Sequence, residues 1–193
     1  MKMKSKIGIV TVLLVSFAFA SKAQTTPPTN TSPSSGSEWR LSVGPEVGLP
    51  IAGYSNAYSW SFGGSAQLDI PVASKLYVTV NAGYDDLFVK SGEFPGRNLQ
   101  LIPVKAGLRY FFIGDLVYGQ AQAGATILGN KTGAFADKSA AFTWTPQVGV
   151  LLKLAEKNYL DVGFRYESVV NGFYNGGTNL STLGLRVAYS FGL

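Results

Sequence analysis

Neither cysteine nor histidine occurs anywhere in the 193 residues. The missing cysteine excludes disulfides, thiolate chemistry and a lipidated-cysteine anchor. The missing histidine excludes Ser-His-Asp triads, Cys-His dyads and ordinary zinc sites. Charge is sparse as well, at 14% of residues, and the formal excess of +5 is misleading. Four of the sixteen basic residues, Lys2, Lys4, Lys6 and Lys22, surround one apolar run from Ile7 to Ala20. That run is about 14 residues long, short of the roughly 20 needed for a membrane-spanning helix. With three lysines ahead of it and the small residues Ser21 and Ala23 behind it, the segment 1–23 is expected to be a secretory signal peptide, cleaved after Ala23. Twelve basic and eleven acidic residues then remain, a mature charge of +1. Nucleic acid is therefore not expected as a partner, because phosphate recognition wants a cationic excess gathered on one face.

Residues 24–37 hold the stretch TTPPTNTSPSSGS, rich in Pro, Thr and Ser and without a large apolar side chain. Such a segment cannot bury enough surface to offset its ordering entropy, which predicts a flexible periplasmic linker. From residue 38 to 193 about 155 residues remain, the size of one domain. No helical period appears there, whereas alternation with period two recurs. It predicts eight strands: Trp39 to Leu49, Ser59 to Ile70, Lys75 to Asp85, Leu99 to Phe111, Leu116 to Leu128, Ala141 to Leu154, Tyr159 to Glu167 and Leu180 to Leu193. They run to about 9–14 residues, longer than soluble strands and suited to tilted strands crossing a bilayer. Between them short and long connections alternate strictly, the pattern of an all-β, eight-stranded antiparallel up-and-down transmembrane barrel with both termini in the periplasm.

In a soluble barrel the apolar face points inward; in a membrane barrel it points outward. Gathering the polar face of all eight strands gives Arg40, Glu46, Asp69, Asp85, Lys105, Arg109, Lys153, Asp161, Arg165, Glu167 and Arg186, six basic and five acidic. A nearly balanced set is what a narrow lumen requires, since buried charges must pair. Gln67, Gln120, Gln122 and Gln147 fall on the same face. So do the three pairs Gly107 with Arg109, Gly163 with Arg165 and Gly184 with Arg186, which set a bare backbone position beside a long guanidinium. Aromatic residues mark the stripe ends, Trp60, Tyr84, Phe142, Trp144 and Tyr166 near the long loops and Trp39, Tyr110, Phe112, Tyr159 and Phe191 near the short turns, as headgroup girdles do. Pro45, Pro103 and Pro146 fall inside the strands and predict bulges or displaced strand ends.

The segments LIPVKAGLRYFF (Leu101 to Phe112) and GLRVAYSFGL carry a resemblance to the eight-stranded outer-membrane barrel families of the OmpA/OmpX and PorT-like types, covering Trp39 to Leu193. The resemblance implies that Gly184, Val187, Tyr189 and Phe191 form a C-terminal signal for the barrel-assembly machinery, with Leu193 where the family usually ends in Phe. Its PorT-like side implies an accessory role in a secretion machine. Eight strands leave a lumen that side chains roughly fill. The expected function is accordingly a non-enzymatic, lumen-plugged barrel in outer-membrane lipid, presenting four loops to an extracellular or secretion-machine protein. A narrow conduit for small or apolar solutes is the alternative. Phe88, Phe94, Phe173 and Tyr174 are the candidate loop contacts. No cofactor or metal is expected.

Overall fold

The computed structural model describes residues 38–90, 98–130, 136–173 and 177–193. The expected signal peptide and linker, together with Phe94 and Tyr174, lie outside the described residues. Eight strands, β1 (Arg40–Ile51), β2 (Tyr58–Ala73), β3 (Leu76–Val89), β4 (Leu99–Ile113), β5 (Val117–Leu128), β6 (Ala140–Lys153), β7 (Asn158–Val169) and β8 (Leu180–Gly192), form one closed antiparallel barrel in sequence order. Closure is by β1 against β8, with Leu41 opposite Phe191 and Leu49 opposite Leu183. Among the described residues no strand edge is left over to expose unpaired backbone. Short connections (residues 74–75, 114–116 and 154–157) and longer ones (52–57, 90–98, 129–139 and 170–179) sort to opposite ends of the barrel, called here the turn end and the loop end. The shortest turn holds Lys75 at φ 66° and the next holds Gly114 at φ 55°. A short 3-10 helix, Ala52–Asn56, leads from β1 into β2.

Pro45, Pro103 and Pro146 cause neither bulges nor displaced ends. Each of these three sits within a two-residue gap in one ladder with the register unchanged across it. The β1–β8 ladder runs from Val43 opposite Tyr189 to Glu46 opposite Arg186, passing over Pro45. The β3–β4 ladder passes over Pro103, and the β6–β7 ladder over Pro146. In an antiparallel sheet one residue turns its N–H and C=O to the same neighbour, so a missing N–H interrupts one ladder and leaves the other whole. On their other sides Pro45 opposes Gly64, Pro103 opposes Thr126 and Pro146 opposes Ala121.

The wall is apolar outside and polar inside. Val43, Val47, Leu49, Phe62, Val80, Val104, Leu108, Phe142, Trp144, Val148, Phe164 and Leu185 are all exposed on the outer face, while Arg109, Arg186, Lys105, Asp69 and Asp161 are at most 1% exposed. A water-soluble barrel would reverse this arrangement.

Candidate functional site: a paired-ion barrel interior

The interior is stacked in layers along the barrel axis. At the turn end Tyr77, Phe111, Tyr118 and Leu151 are buried together, with Tyr159 packed against them. Tyr159 is thus part of the lumen filling, because it shares the inward phase of Asp161; the girdle expected at the short turns retains Trp39, Tyr110, Phe112 and Phe191, all exposed. The Arg40 guanidinium lies 4.5 Å from the Tyr77 ring centre, 5.3 Å from Phe111 and 5.4 Å from Tyr159. It donates to the Tyr77 hydroxyl at 2.6 Å. Three π faces thereby hold a buried cation that has no carboxylate within ion-pair distance among the described residues.

Above it lies a quartet of opposite charges. Arg109 on β4 donates through Nη1 to Asp69 on β2 at 2.8 Å and through Nη2 to Asp161 on β7 at 3.0 Å. Arg186 on β8 reaches the same Asp161 oxygen at 3.3 Å. The other oxygen of Asp161 accepts from the Tyr118 hydroxyl at 2.5 Å, and that hydroxyl accepts from Gln147 Nε2 at 2.7 Å. The Arg109 guanidinium stands 4.0 Å over the Tyr118 ring. Gln120 receives the Nε of Arg109 at 2.7 Å, and Gln67 donates to Asp69 at 2.7 Å. Each nitrogen of the central guanidinium thus donates to an acceptor and its face covers a ring, the condition under which a buried ion is tolerable.

A third layer follows toward the loop end. Arg165 pairs with Glu46, which Ser65 also contacts and which Arg186 approaches at 3.4 Å. Lys105 pairs with Glu167, and Thr145 donates to the same carboxylate at 3.2 Å. Arg186 therefore joins this layer to the quartet. Asp85 faces the lumen here without an ion pair among the described residues, lining a cavity of about 30 Å³ with Glu46, Arg165 and Glu167, room for a water molecule or two.

Past this point the inward face turns apolar. Leu87, Leu99, Leu101, Leu128, Val169 and Leu180 meet across the loop end around Phe173, with Tyr54 and Ala136 completing the cluster. Phe173 is brought inward by two successive left-handed residues, Asn171 at φ 57° and Gly172 at φ 45°. Its carbonyl accepts from the backbone of Asp137 and Lys138, at 3.0 Å each.

Ten of the eleven expected lumen charges occupy these layers, drawn with the glutamines and Tyr118 from all eight strands. Lys153 does not. It keeps the inward phase but is the last residue of β6, beyond Leu151, and is exposed. The interior set is then five cations against five anions. Phe173 is fully buried and so cannot be a loop contact, and Phe88 lies on the outer wall, its ring 4.6 Å from Trp60. The sequence reading passed over Tyr118, although its phase with Gln120 and Gln122 marks it as inward. Gly184, Val187, Tyr189 and Phe191 sit on the closing strand, the last three exposed on the outer face.

A closed, up-and-down barrel with an apolar exterior, aromatic bands and a paired-ion interior belongs to the class of transmembrane β-barrels. More particularly, the chain matches the outer membrane protein beta-barrel domain over residues 10–191 and belongs to that family. Among solved structures it resembles the outer membrane protein OprG of Pseudomonas aeruginosa at a TM-score of 0.56 and 14% identity, covering 82% of this chain and 96% of that one. It likewise resembles Neisserial surface protein A, with a TM-score of 0.54, 15% identity and coverages of 80% and 97%. The likeness to AlkL, solved in lipid bilayers, has a TM-score of 0.50 and 16% identity, with coverages of 88% and 96%. At these identities what is shared is the fold. No curated protein matches the chain.

Proposed function

We propose that the protein is a non-enzymatic outer-membrane barrel whose lumen does not conduct, and which acts through the four loops it holds outside the cell. Its segment 1–23 is removed on export, its termini face the periplasm, and the barrel-assembly machinery reads Gly184, Val187, Tyr189 and Phe191 as it inserts. One observation carries this reading: four cations, Lys105, Arg109, Arg165 and Arg186, and four anions, Glu46, Asp69, Asp161 and Glu167, pair with one another inside the barrel, between an aromatic layer and an apolar one. Charges engaged with one another in this way are poorly placed to act as acid, base or nucleophile on a substrate. Loops remain the surface at which a partner protein would bind, with Phe94 and Tyr174 as the aromatic candidates.

Reconstitution into liposomes tests this. Solute-driven swelling and planar-bilayer current are expected at the level of protein-free membranes. Stable conductance would overturn the occluded lumen and favour the conduit. Cell fractionation with heat-dependent electrophoretic mobility tests location: the unheated barrel is expected in the outer membrane and to migrate faster than the boiled chain.

A further inference from the structure

The outer wall has one anomaly. Among the described residues, every outward-facing position on the eight strands is apolar, small or uncharged, with the single exception of Asp86 on β3. Its phase is fixed by its neighbours: Tyr84 is exposed outside, while Leu87 is buried within. The register then surrounds it. Phe62 stands directly opposite on β2 and Gln100 directly opposite on β4. Tyr84 and Phe88, two residues away on the same strand, share its face. The ring of Phe88 is itself stacked on Trp60 with centroids 4.6 Å apart. One carboxylate oxygen, Oδ1, is buried against the wall without any hydrogen-bond partner.

A carboxylate on a lipid-facing wall is unfavourable, least so near the interface, and a buried acceptor without a donor adds to the cost. Aromatic residues opposite and on either side of a negative group are the residue types that recognise an ammonium, since ring faces attract a cation and a carboxylate accepts N–H donors. The site lies in the aromatic band at the loop end, with Trp60 and Tyr84, where lipid headgroups meet the wall. Resting on the lipid-facing reading of this wall, we propose that Asp86, Phe62, Tyr84 and Phe88 form a binding notch for the ammonium group of an amine-bearing lipid headgroup. An anionic headgroup finds no cation there, the register neighbours Gln100 and Tyr84 being uncharged.

The test uses the full chain, folded in detergent and titrated with phosphatidylethanolamine or with phosphatidylglycerol of the same acyl chains, with bound lipid read by native mass spectrometry. The ethanolamine lipid is expected to be retained at least about tenfold better, a preference worth roughly one ion pair with a ring contact. Asp86→Asn should abolish the preference and Asp86→Glu should keep it, both variants showing the heat-dependent mobility of a folded barrel. Equal retention of the two lipids by the unaltered chain would overturn the proposal, as would a preference that survives in Asp86→Asn. A preference abolished by a chelator would also overturn it, because a bridging metal ion would then be the ligand. A non-conducting barrel that shows no lipid preference would sink this inference alone; a conducting one would sink the occluded lumen alone.

Discussion

Asp161 joins three side chains from three strands inside the barrel. One of its oxygens is shared by Arg109 and Arg186, and the other takes the Tyr118 hydroxyl. Replacing it by Asn, which is nearly isosteric, leaves two guanidinium groups facing a neutral amide inside the barrel. Arg109 keeps Asp69 and Arg186 keeps Glu46 at 3.4 Å, but the interior is left with one cation in excess. Breaking a buried pair costs about 3–5 kcal/mol, so urea titration of the barrel refolded in lipid vesicles should show a loss toward the lower end of that range for Asp161→Asn. Tyr118→Phe is a gentler probe, because the ring under Arg109 survives and only the hydroxyl goes. Gln147 loses its acceptor and Asp161 loses a donor, and a loss of about 1–3 kcal/mol is expected in the same titration. Lys153→Ala is the contrasting substitution. Exposed at the end of β6, it should stay within about 0.5 kcal/mol of the unaltered protein.

At the scale of the strand, phase matters more than residue type. The alternation in the sequence gives all eight strands to within a few residues, because each buries one face in lipid and the other in the lumen, and a slip of one residue would exchange them. What alternation cannot give is the distance along the barrel axis. Lys153 has the right phase but lies beyond the last filled layer. Leu87, Leu99, Leu101 and Leu180 also have the inward phase, yet close the loop end as an apolar cluster. Phe173 is unreadable for another reason: it belongs to a connection, and only the left-handed pair before it sends the ring inward. The glycines paired with arginines in the sequence serve the neighbours across the strand. A Cβ on Gly184 would lie 3.2 Å from the Arg165 side chain, and one on Gly163 would lie 2.9 Å from the Tyr118 hydroxyl and press on Gln147. Gly163→Ala is therefore expected to destabilise by about 1–3 kcal/mol through overpacking. In a Tyr118→Phe background one obstructing atom is gone and Gln147, the nearer obstruction, is freed from its acceptor, so the two losses should sum to less than their separate values, as a double-mutant cycle in urea would measure.

For the whole molecule, charge neutrality and closure depend on each other. Five cations and five anions balance inside the wall, but they are not balanced layer by layer. Arg40 at the turn end reaches no carboxylate within ion-pair distance among the described residues, although Glu38 and Asp115 lie near the Tyr77 and Tyr159 rings that hold it, whereas the layer beneath the loop end holds Glu46, Asp85 and Glu167 against Lys105 and Arg165. Such a separation would attract ions from solution if the lumen were wet. Salt distinguishes the cases, because the Debye length falls from about 10 Å at 0.1 M to about 3 Å at 1 M. Screening acts only where ions can enter. If the aromatic layer and the Phe173 cluster keep water out, the destabilisation caused by Asp161→Asn should be the same at both salt concentrations to within about 0.5 kcal/mol, since the ion pairs it breaks are beyond the reach of dissolved ions. Comparing variant with parent at each concentration removes the general effect of salt on folding. A penalty that shrinks markedly at 1 M would show a solvated lumen. The conducting reading would then regain its footing even if single-channel current were too small to record.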